Sequence, residues 1–209
     1  SKWIIFNFKY VFRTAALTIV TGLTLLYFKP YLSPSFIHKM PLVFASTGCL
    51  MVLKAFSERD SVRKSWTLIM LNNVSIAIAI SFNEHFNLTH NTWYLSGILF
   101  TWVLGLILIN KLRKHEIVSL NRFYGHSYEH PKLAFLYLLM CLGISGFPIT
   151  PTFIGEDLVF SHIHADQILL AIVISFSLII NGLAAIRIYA RVFLGPHIKN
   201  YHGVAKRSF

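Results

Sequence analysis

Charged residues are scarce in this sequence, and acidic residues are scarcer still. Only 13% of the 209 residues are charged, and only eight are Asp or Glu. A soluble domain carries roughly a quarter charged residues, so this chain has too few to cover a surface in water. With 55% hydrophobic residues and a mean hydropathy of +0.60, the composition favours lipid as the solvent and excludes an ordinary water-soluble domain.

Cysteine is nearly absent, since the chain has only Cys49 and Cys141. Both fall inside predicted helices, so we expect neither a disulfide framework nor a cysteine metal site. No catalytic triad, phosphate-binding loop or pair of haem ligands is apparent. The pattern His162-x-His164-x-Asp166 has no helix or strand to set its geometry, so it does not predict a metal site. The sequence therefore predicts no cofactor, no metal and no bond chemistry in this chain.

Long intervals without charge predict an all-α, polytopic membrane protein. A helix needs about 20 apolar residues to cross a hydrocarbon core about 30 Å thick. We predict about six transmembrane helices, over residues 13–29, 36–54, 65–82, 92–110, 133–163 and 167–190. They form one transmembrane domain over residues 1–209, with four helices in 1–110, a cytoplasmic connection at 111–132, two crossings in 133–195 and a basic tail at 196–209.

The formal net charge of +11 could suggest a nucleic-acid partner, but its distribution argues against one. With six crossings, all of the 19 Lys and Arg residues except Lys29 and Lys39 fall on one side. The positive-inside rule assigns the basic side to the cytoplasm. We therefore expect an integral protein of the bacterial inner (cytoplasmic) membrane with both termini in the cytoplasm and no nucleic-acid surface.

Two polar regions that precede the last two crossings are candidates for a function, the asparagine pair of the third crossing and the connection at 111–132. Asn72 and Asn73 interrupt the third crossing, where they either form hydrogen bonds between helices or line a hydrated path. The connection at 111–132 is the longest polar stretch, and its histidines match no compact metal motif. We expect it to be a solvated loop that docks a cytoplasmic partner through its basic and imidazole side chains, Arg113, Lys114, Arg122, His126 and His130.

The fifth crossing is too long and too rich in helix breakers to form one helix. Its 31 residues would reach roughly 46 Å at 1.5 Å per residue, and its middle contains Gly146, Phe147, Pro148 and Pro151. Proline removes a backbone hydrogen bond and clashes with the preceding turn. We predict a helix, an unwound stretch at Phe147–Thr152 and a second half-helix, an arrangement that marks ion sites in transporters.

Two adjacent carboxylates, Glu156 and Asp157, follow the predicted break. Intramembrane carboxylates are costly and mark functional sites, and carboxylates desolvated together raise each other's proton affinity. Such a group can take up and release protons. The alternative is that both acids cap the N-terminus of the second half-helix at the outer interface. The residues alone leave both interpretations open.

The segment Gly143–Asp157, GISGFPITPTFIGED, resembles the broken helix of the antiporter-like membrane subunits of complex I and of Mrp-type cation/proton antiporters. The last crossing, with Asn181-Gly182 and Arg187-x-Tyr189-x-x-Arg191, is similar to the helix that follows in that family. The resemblance covers roughly residues 120–196 and corresponds to the C-terminal portion of a family member.

The resemblance implies a subunit that translocates protons (or Na⁺) within a larger membrane complex, coupled to a partner's redox or inorganic-carbon chemistry. It makes Glu156 the exchangeable carboxylate and Asp157 its electrostatic neighbour. It makes Arg187 and Asn181 polar neighbours from the last helix. Respiratory members usually have Lys where this chain has Glu156, and complete members have more helices in two inverted repeats. The Gly-Glu-Asp variant is similar to a branch paired with a cytoplasmic carbonic-anhydrase-like protein.

A non-conducting scaffold that anchors a cytoplasmic partner is the alternative function. The loop at 111–132 and the tail at 196–209 would form its docking surface. The two functions differ in one structural requirement, because a conducting subunit needs a polar chain that reaches Glu156 and a scaffold does not.

The charge distribution predicts the topology that labelling of single-cysteine variants in sealed cells can measure. With Cys49 and Cys141 replaced, a cysteine introduced within residues 83–91 or 161–166 should react with an impermeant external reagent. A cysteine at Arg63 or Lys114 should react only after the cells are opened. External labelling at either of these two positions would overturn the assignment.

Overall fold

The computed structural model describes residues 8–83, 88–113 and 119–196, and these residues form seven α-helices and no strand. A 3₁₀ turn at Lys29–Tyr31 joins the first two helices. The helices are α1 Phe8–Tyr27, α2 Pro34–Ser57, α3 Val62–Ser81, α4 Leu88–Arg113, α5 Pro131–Ile144, α6 Pro151–Ser161 and α7 Ile168–Phe193.

These helices correspond to the predicted crossings. By length and composition, α1, α2, α4 and α7 are each apolar enough to cross a membrane, and α5 is a shorter apolar helix. α5 and α6 lie in series and form the predicted broken crossing, while α3 matches the third crossing. The prediction of an all-α polytopic membrane protein is confirmed.

Helix α3 forms the centre of the bundle, because it packs against α1, α2, α4 and α7. Fifteen of its 20 residues are buried, so very little of it faces the surroundings. Trp66 is fully buried, donates from Nε1 to the Trp102 carbonyl oxygen at 3.1 Å and contacts the Tyr137 ring at 5.2 Å. The two asparagines of α3, Asn72 and Asn73, therefore lie in the protein interior and not at the lipid surface.

One end of the bundle is joined by a polar network between segments that are far apart in sequence. The Asn83 amide donates to the His162 carbonyl and to the Gln167 amide oxygen, both at 2.8 Å. Lys29 donates to the Ser81 carbonyl at 3.2 Å. The turn after α1, the end of α3 and the α6–α7 turn thus lie at one end, as the predicted alternation of crossings requires.

At the opposite end, a short stretch of the 111–132 connection caps α7. We call it the capping segment, Tyr124–Ser127. Its four consecutive N–H groups donate to the carbonyls of Arg191–Leu194 at 3.0–3.3 Å. Nearby, the Leu120 N–H donates to the Arg59 carbonyl at 2.9 Å. These bonds satisfy carbonyls that have no partner within α7 or the α2–α3 turn.

The capping segment corrects one expectation from the sequence. His126 was predicted to lie in a solvated loop, but its side chain is only 2% exposed, with its ring stacked on Tyr124 at 5.2 Å. This prediction of solvation is wrong because the backbone of His126 is needed to cap α7. Arg113 and Arg122 are exposed, His130 is half-buried, and Lys114 lies outside the described residues, as do the predicted tail residues after Pro196.

Candidate ion site at the helix break

Helix α5 ends in a C-terminal cap built around Gly146. The Phe147 N–H donates back to the Leu142 carbonyl at 3.1 Å, while Gly146 adopts φ +66°. This left-handed glycine followed by a 6→1 hydrogen bond is a Schellman motif. The chain therefore leaves the helix after Ile144 with its last carbonyls partly satisfied.

Helix α6 begins at Pro151, where a proline needs no N–H donor of its own. Thr150 precedes it in an extended conformation, with φ −99° and ψ 151°, as a residue before proline prefers. The break therefore spans residues 145–150, two residues earlier at each end than the predicted Phe147–Thr152. The prediction placed Pro151 inside the break, whereas Pro151 starts the second half-helix.

Helix α7 holds the break in place through Asn181. The Asn181 Nδ2 donates to the Ile144 carbonyl at 3.1 Å, and this carbonyl is the last in α5. One turn earlier, Cys141 donates from Sγ to the Ala185 carbonyl of α7 at 3.4 Å. The predicted polar neighbour Asn181 is thus at the break and satisfies its backbone.

Glu156 lies in the second turn of α6 and points back toward the break. Because α6 begins at Pro151, Glu156 is the sixth helical residue, and the first turn contains no acid. The N-terminal cap interpretation is therefore wrong. Helical side chains lean toward the N-terminus, and a Cβ built on Gly146 would overlap the Glu156 carboxyl group. The carboxyl group occupies the space that any side chain at position 146 would fill.

A buried polar side chain of α4 lies close to Glu156. Tyr94 is fully buried and lies close enough to feel the charge of the Glu156 carboxyl group. The α6 backbone approaches Tyr94 so closely that a Cβ on Gly155 would overlap it. The Tyr94 hydroxyl donates to Asn73 Oδ1 at 3.0 Å. Polar groups thus continue from the break through α4 into α3.

Among the described residues, several buried polar atoms have no hydrogen-bond partner, two of them beside the break and two in α3. They include the Thr152 hydroxyl, the Asn181 Oδ1 and both polar atoms of the Asn72 amide. For Asn73 the interhelical hydrogen bond is confirmed, while Asn72 faces Gly48 of α2 and remains a candidate for contact with water.

Two predicted site residues do not reach Glu156. Consecutive helical residues point about 100° apart, and Asp157 is exposed on another face of α6. Arg187 lies about 9 Å beyond Asn181 along α7 and donates to the Phe56 carbonyl at the end of α2. The charges that act on Arg187 belong to Arg191, Arg59 and Glu58. It therefore lies at the end of the bundle where α2 and α7 finish, and not at the break.

Tyr94 and Thr152 are site residues that the sequence interpretation missed. Thr152 lies at 0% exposure, with its hydroxyl and backbone N–H close against Gly97 of α4. Each of these two residues faces a glycine of the other helix, since Thr152 of α6 packs against Gly97 of α4 and Tyr94 of α4 packs against Gly155 of α6. These glycines are the one signal in the sequence that could have indicated Tyr94 and Thr152. Which residues face each other across two helices cannot be read from one apolar run, because α4 is apolar on all sides.

The outward side of the break is uncovered. Ile149 is 88% exposed and Phe147 is 42% exposed. Beside them is a groove of about 520 Å³ between α4, α5 and the break, with Thr152 in its wall. Non-helical backbone at membrane depth is not found in contact with lipid. Within a membrane, this side of the break would need either a covering protein surface or a water-filled cavity.

Comparison with known proteins gives two partial similarities. The chain is 28% identical over 120 residues to subunit N of NADH-quinone oxidoreductase from Buchnera aphidicola subsp. Acyrthosiphon pisum, covering 56% of this chain and 24% of that protein. It is 36% identical over 63 residues to chain 4 of NADH-ubiquinone oxidoreductase from Dictyostelium citrinum, covering 30% of this chain and 15% of that protein.

The chain spans about a quarter or less of the length of each of these relatives. No family model matches the chain, and no solved structure matches it. The two similarities agree with the resemblance to complex I membrane subunits that the Gly-Phe-Pro segment indicated, and they support a distant relation to such a subunit.

The geometry of the break predicts that alanine substitution will lower the stability of the protein at one nearby glycine, Gly146, and not at another, Gly182. Gly146→Ala should destabilise the protein by about 1–3 kcal/mol, because alanine at positive φ is strained and its Cβ would displace the Glu156 carboxyl group. Gly182→Ala is the matched control, since its Cβ would meet Ser145 at an ordinary 3.9 Å. Thermal unfolding in detergent measures both, and equal melting temperatures would contradict this account of Gly146.

Proposed function

We propose that this chain is part of a membrane complex in which it helps to translocate protons (or Na⁺), with Glu156 as the exchangeable carboxylate. Glu156 leans onto Gly146 inside a break in a membrane helix, and this is the observation that carries the proposal. Water or an ion could reach this carboxylate without any rearrangement of the backbone, because the six residues 145–150 are already outside the helices.

A polar continuation from Glu156 supports conduction over a purely structural role. Tyr94 links the neighbourhood of Glu156 to Asn73. Thr152 at the start of α6 and Asn181 beside the end of α5 each have an unpartnered polar atom. A scaffold has no need for buried polar groups without partners, since each costs about 1–3 kcal/mol when it is left unsatisfied. Water at these groups would supply their missing hydrogen bonds and a route for protons.

The proposal includes other membrane subunits. The exposed break and the exposed Asp157 carboxylate on the same half-helix are both unfavourable against lipid. A neighbouring membrane protein that covers this face would remove both costs. The relatives named above are subunits of oxidoreductases, so we propose that the partner chemistry is redox, or inorganic-carbon chemistry as in the Gly-Glu-Asp branch, in a bacterial inner membrane.

We also propose a cytoplasmic partner that contacts the exposed arginines Arg113 and Arg122 and the neighbouring Lys114. Reversing the charge at Arg113 and Lys114 should weaken copurification of that partner while the chain still inserts, because complementary charge steers and fixes docking. Lys39→Glu, on the other side of the membrane by prediction, is the control. If copurification is the same for all variants in a pull-down from solubilised membranes, this surface is not used.

Substitutions at Glu156 test the proposed function directly. In proteoliposomes that contain the tagged complex, an imposed K⁺ diffusion potential drives proton flux, which a pH-sensitive dye reports. Glu156→Gln should lower the flux by on the order of 100-fold, since the amide keeps the shape but cannot titrate. Glu156→Asp should keep partial flux, and Glu156→Lys should fail because no described carboxylate at the break would pair with the buried ammonium group.

Asp166→Asn is the matched control, because Asp166 is an exposed carboxylate at the opposite end of α6, paired with His38 at 3.5 Å. It should leave the flux unchanged. If Glu156→Gln keeps full flux in an assembled complex, the carboxylate does not carry protons, and the non-conducting scaffold replaces this proposal.

A further inference from the structure

Basic residues crowd the end of the bundle where α2 and α7 finish. Seven basic residues fall close to these two helix ends, against three acidic residues of the described chain, Glu58, Asp60 and Glu129. The basic residues are Lys54, Arg59, Arg63, Lys64, Arg122, Arg187 and Arg191. An excess of this size needs either solvent ions or a bound anion to balance it.

Glu58 does not balance the arginines, because its charge is matched by Lys54. The Glu58 carboxylate is 3% exposed, lies 2.9 Å from Lys54 Nζ and accepts the Asp60 N–H at 3.0 Å. Burial alone would raise the pKa of Glu58, but these hydrogen bonds and the charges of Lys54 and Lys64 lower it below its usual value. Glu58 is therefore ionised and paired, and the positive charge of the arginines is left over.

Three guanidinium groups converge beside this pair. Arg187 and Arg191 lie one turn apart on the same face of α7. Arg59 follows the end of α2, and the charges of Arg59 and Arg191 both reach Arg187. Like charges at such range repel. Glu58 also acts on Arg187, but it is already paired with Lys54, so a further negative group would stabilise the arrangement.

Aromatic rings and a backbone carbonyl hold the guanidinium groups of Arg187 and Arg191 in position. Arg187 donates to the Phe56 carbonyl and lies 5.5 Å from the centre of the Phe56 ring. Arg191 lies 4.4 Å from the centre of the Phe123 ring. The Arg59 backbone is anchored by the Leu120 N–H. Two of the three guanidinium groups are thus prearranged at the end of two apolar helices, where the phosphate groups of lipids lie, and the exposed Arg59 side chain is joined to them by its fixed backbone.

An exposed apolar strip leads away from the cluster along α7. Phe176, Ile179 and Leu183 are 47%, 61% and 51% exposed, and their spacing of three and four residues puts them on one side of the helix. Arg187 comes four residues after Leu183 and continues this side. A ligand with a negative head and an apolar chain fits both parts, whereas a free anion uses only the first.

We propose that Arg59, Arg187 and Arg191 bind the phosphate of an anionic phospholipid whose acyl chain lies along Phe176, Ile179 and Leu183. The planar guanidinium group binds phosphate oxygens through two parallel hydrogen bonds, and basic pockets between membrane helices bind anionic head groups. This site is independent of Glu156, and it accounts for Arg187 without a role in ion transfer.

The test uses the full 209-residue chain, purified in mild detergent with the proteins that accompany it. Phosphatidylglycerol is titrated, with phosphatidylcholine as the neutral comparison, and bound lipid is counted by native mass spectrometry. The double variant Arg59→Gln/Arg191→Gln should bind phosphatidylglycerol at least about tenfold more weakly for each guanidinium group removed. The double variant Arg59→Lys/Arg191→Lys should keep part of the affinity, since it retains both charges but cannot form the paired hydrogen bonds of a guanidinium group.

Arg13→Gln, at an exposed arginine of α1, is the control and should bind phosphatidylglycerol like the unmodified chain. Binding to the unmodified chain should also weaken in 1 M salt, where the screening length is about 3 Å, so the proposal can fail even if the glutamine variant does not fold. Equal retention of phosphatidylcholine, undiminished binding by the double variant or the absence of a salt effect would each overturn the site. Full competition by inorganic phosphate at matched concentration would overturn the lipid assignment and leave a simple anion site.

Discussion

A backbone N–H or C=O group inside a bilayer has no water to bond with, and this constraint governs the whole molecule. It requires every crossing to be helical and every helix end inside the membrane to have its carbonyls satisfied by something else. The Schellman cap at Gly146 and the Asn181 amide do this for α5, and the capping segment does it for α7. At these two helix ends, specific donors replace the missing intrahelical hydrogen bonds.

The candidate ion site arises from the same constraint. Once a helix is interrupted at membrane depth, its neighbourhood must already contain polar groups, and a carboxylate can be added there at a smaller cost than in an intact apolar helix. Glycine at position 146 contributes twice, since it adopts the positive φ of the cap and leaves space for the Glu156 carboxyl group. Stability and proposed function thus depend on one residue without a side chain.

The sequence predicted the elements of the fold well because each has a local cause. Charge-free length predicted the crossings, and Gly146 with the two prolines predicted the break. It did not predict which faces meet. Asp157 follows Glu156 directly and yet faces away, and Arg187 lies on the same helix as Asn181 but acts at its end. Tyr94 was missed and His126 was placed in solvent because their environments are created by α6 and α7, which are distant in sequence.

The four hydrogen bonds between the capping segment and the end of α7 have a mechanical consequence. They join a surface loop to a helix that is stiff over the roughly 16 Å from Val192 to Asn181, and Asn181 is bonded to the last carbonyl of α5. Force applied to the loop therefore cannot be absorbed locally without breaking several backbone bonds at once. The loop, α7 and the last carbonyl of α5 are connected by one continuous series of hydrogen bonds, so we expect a displacement of the loop to reach the edge of the break.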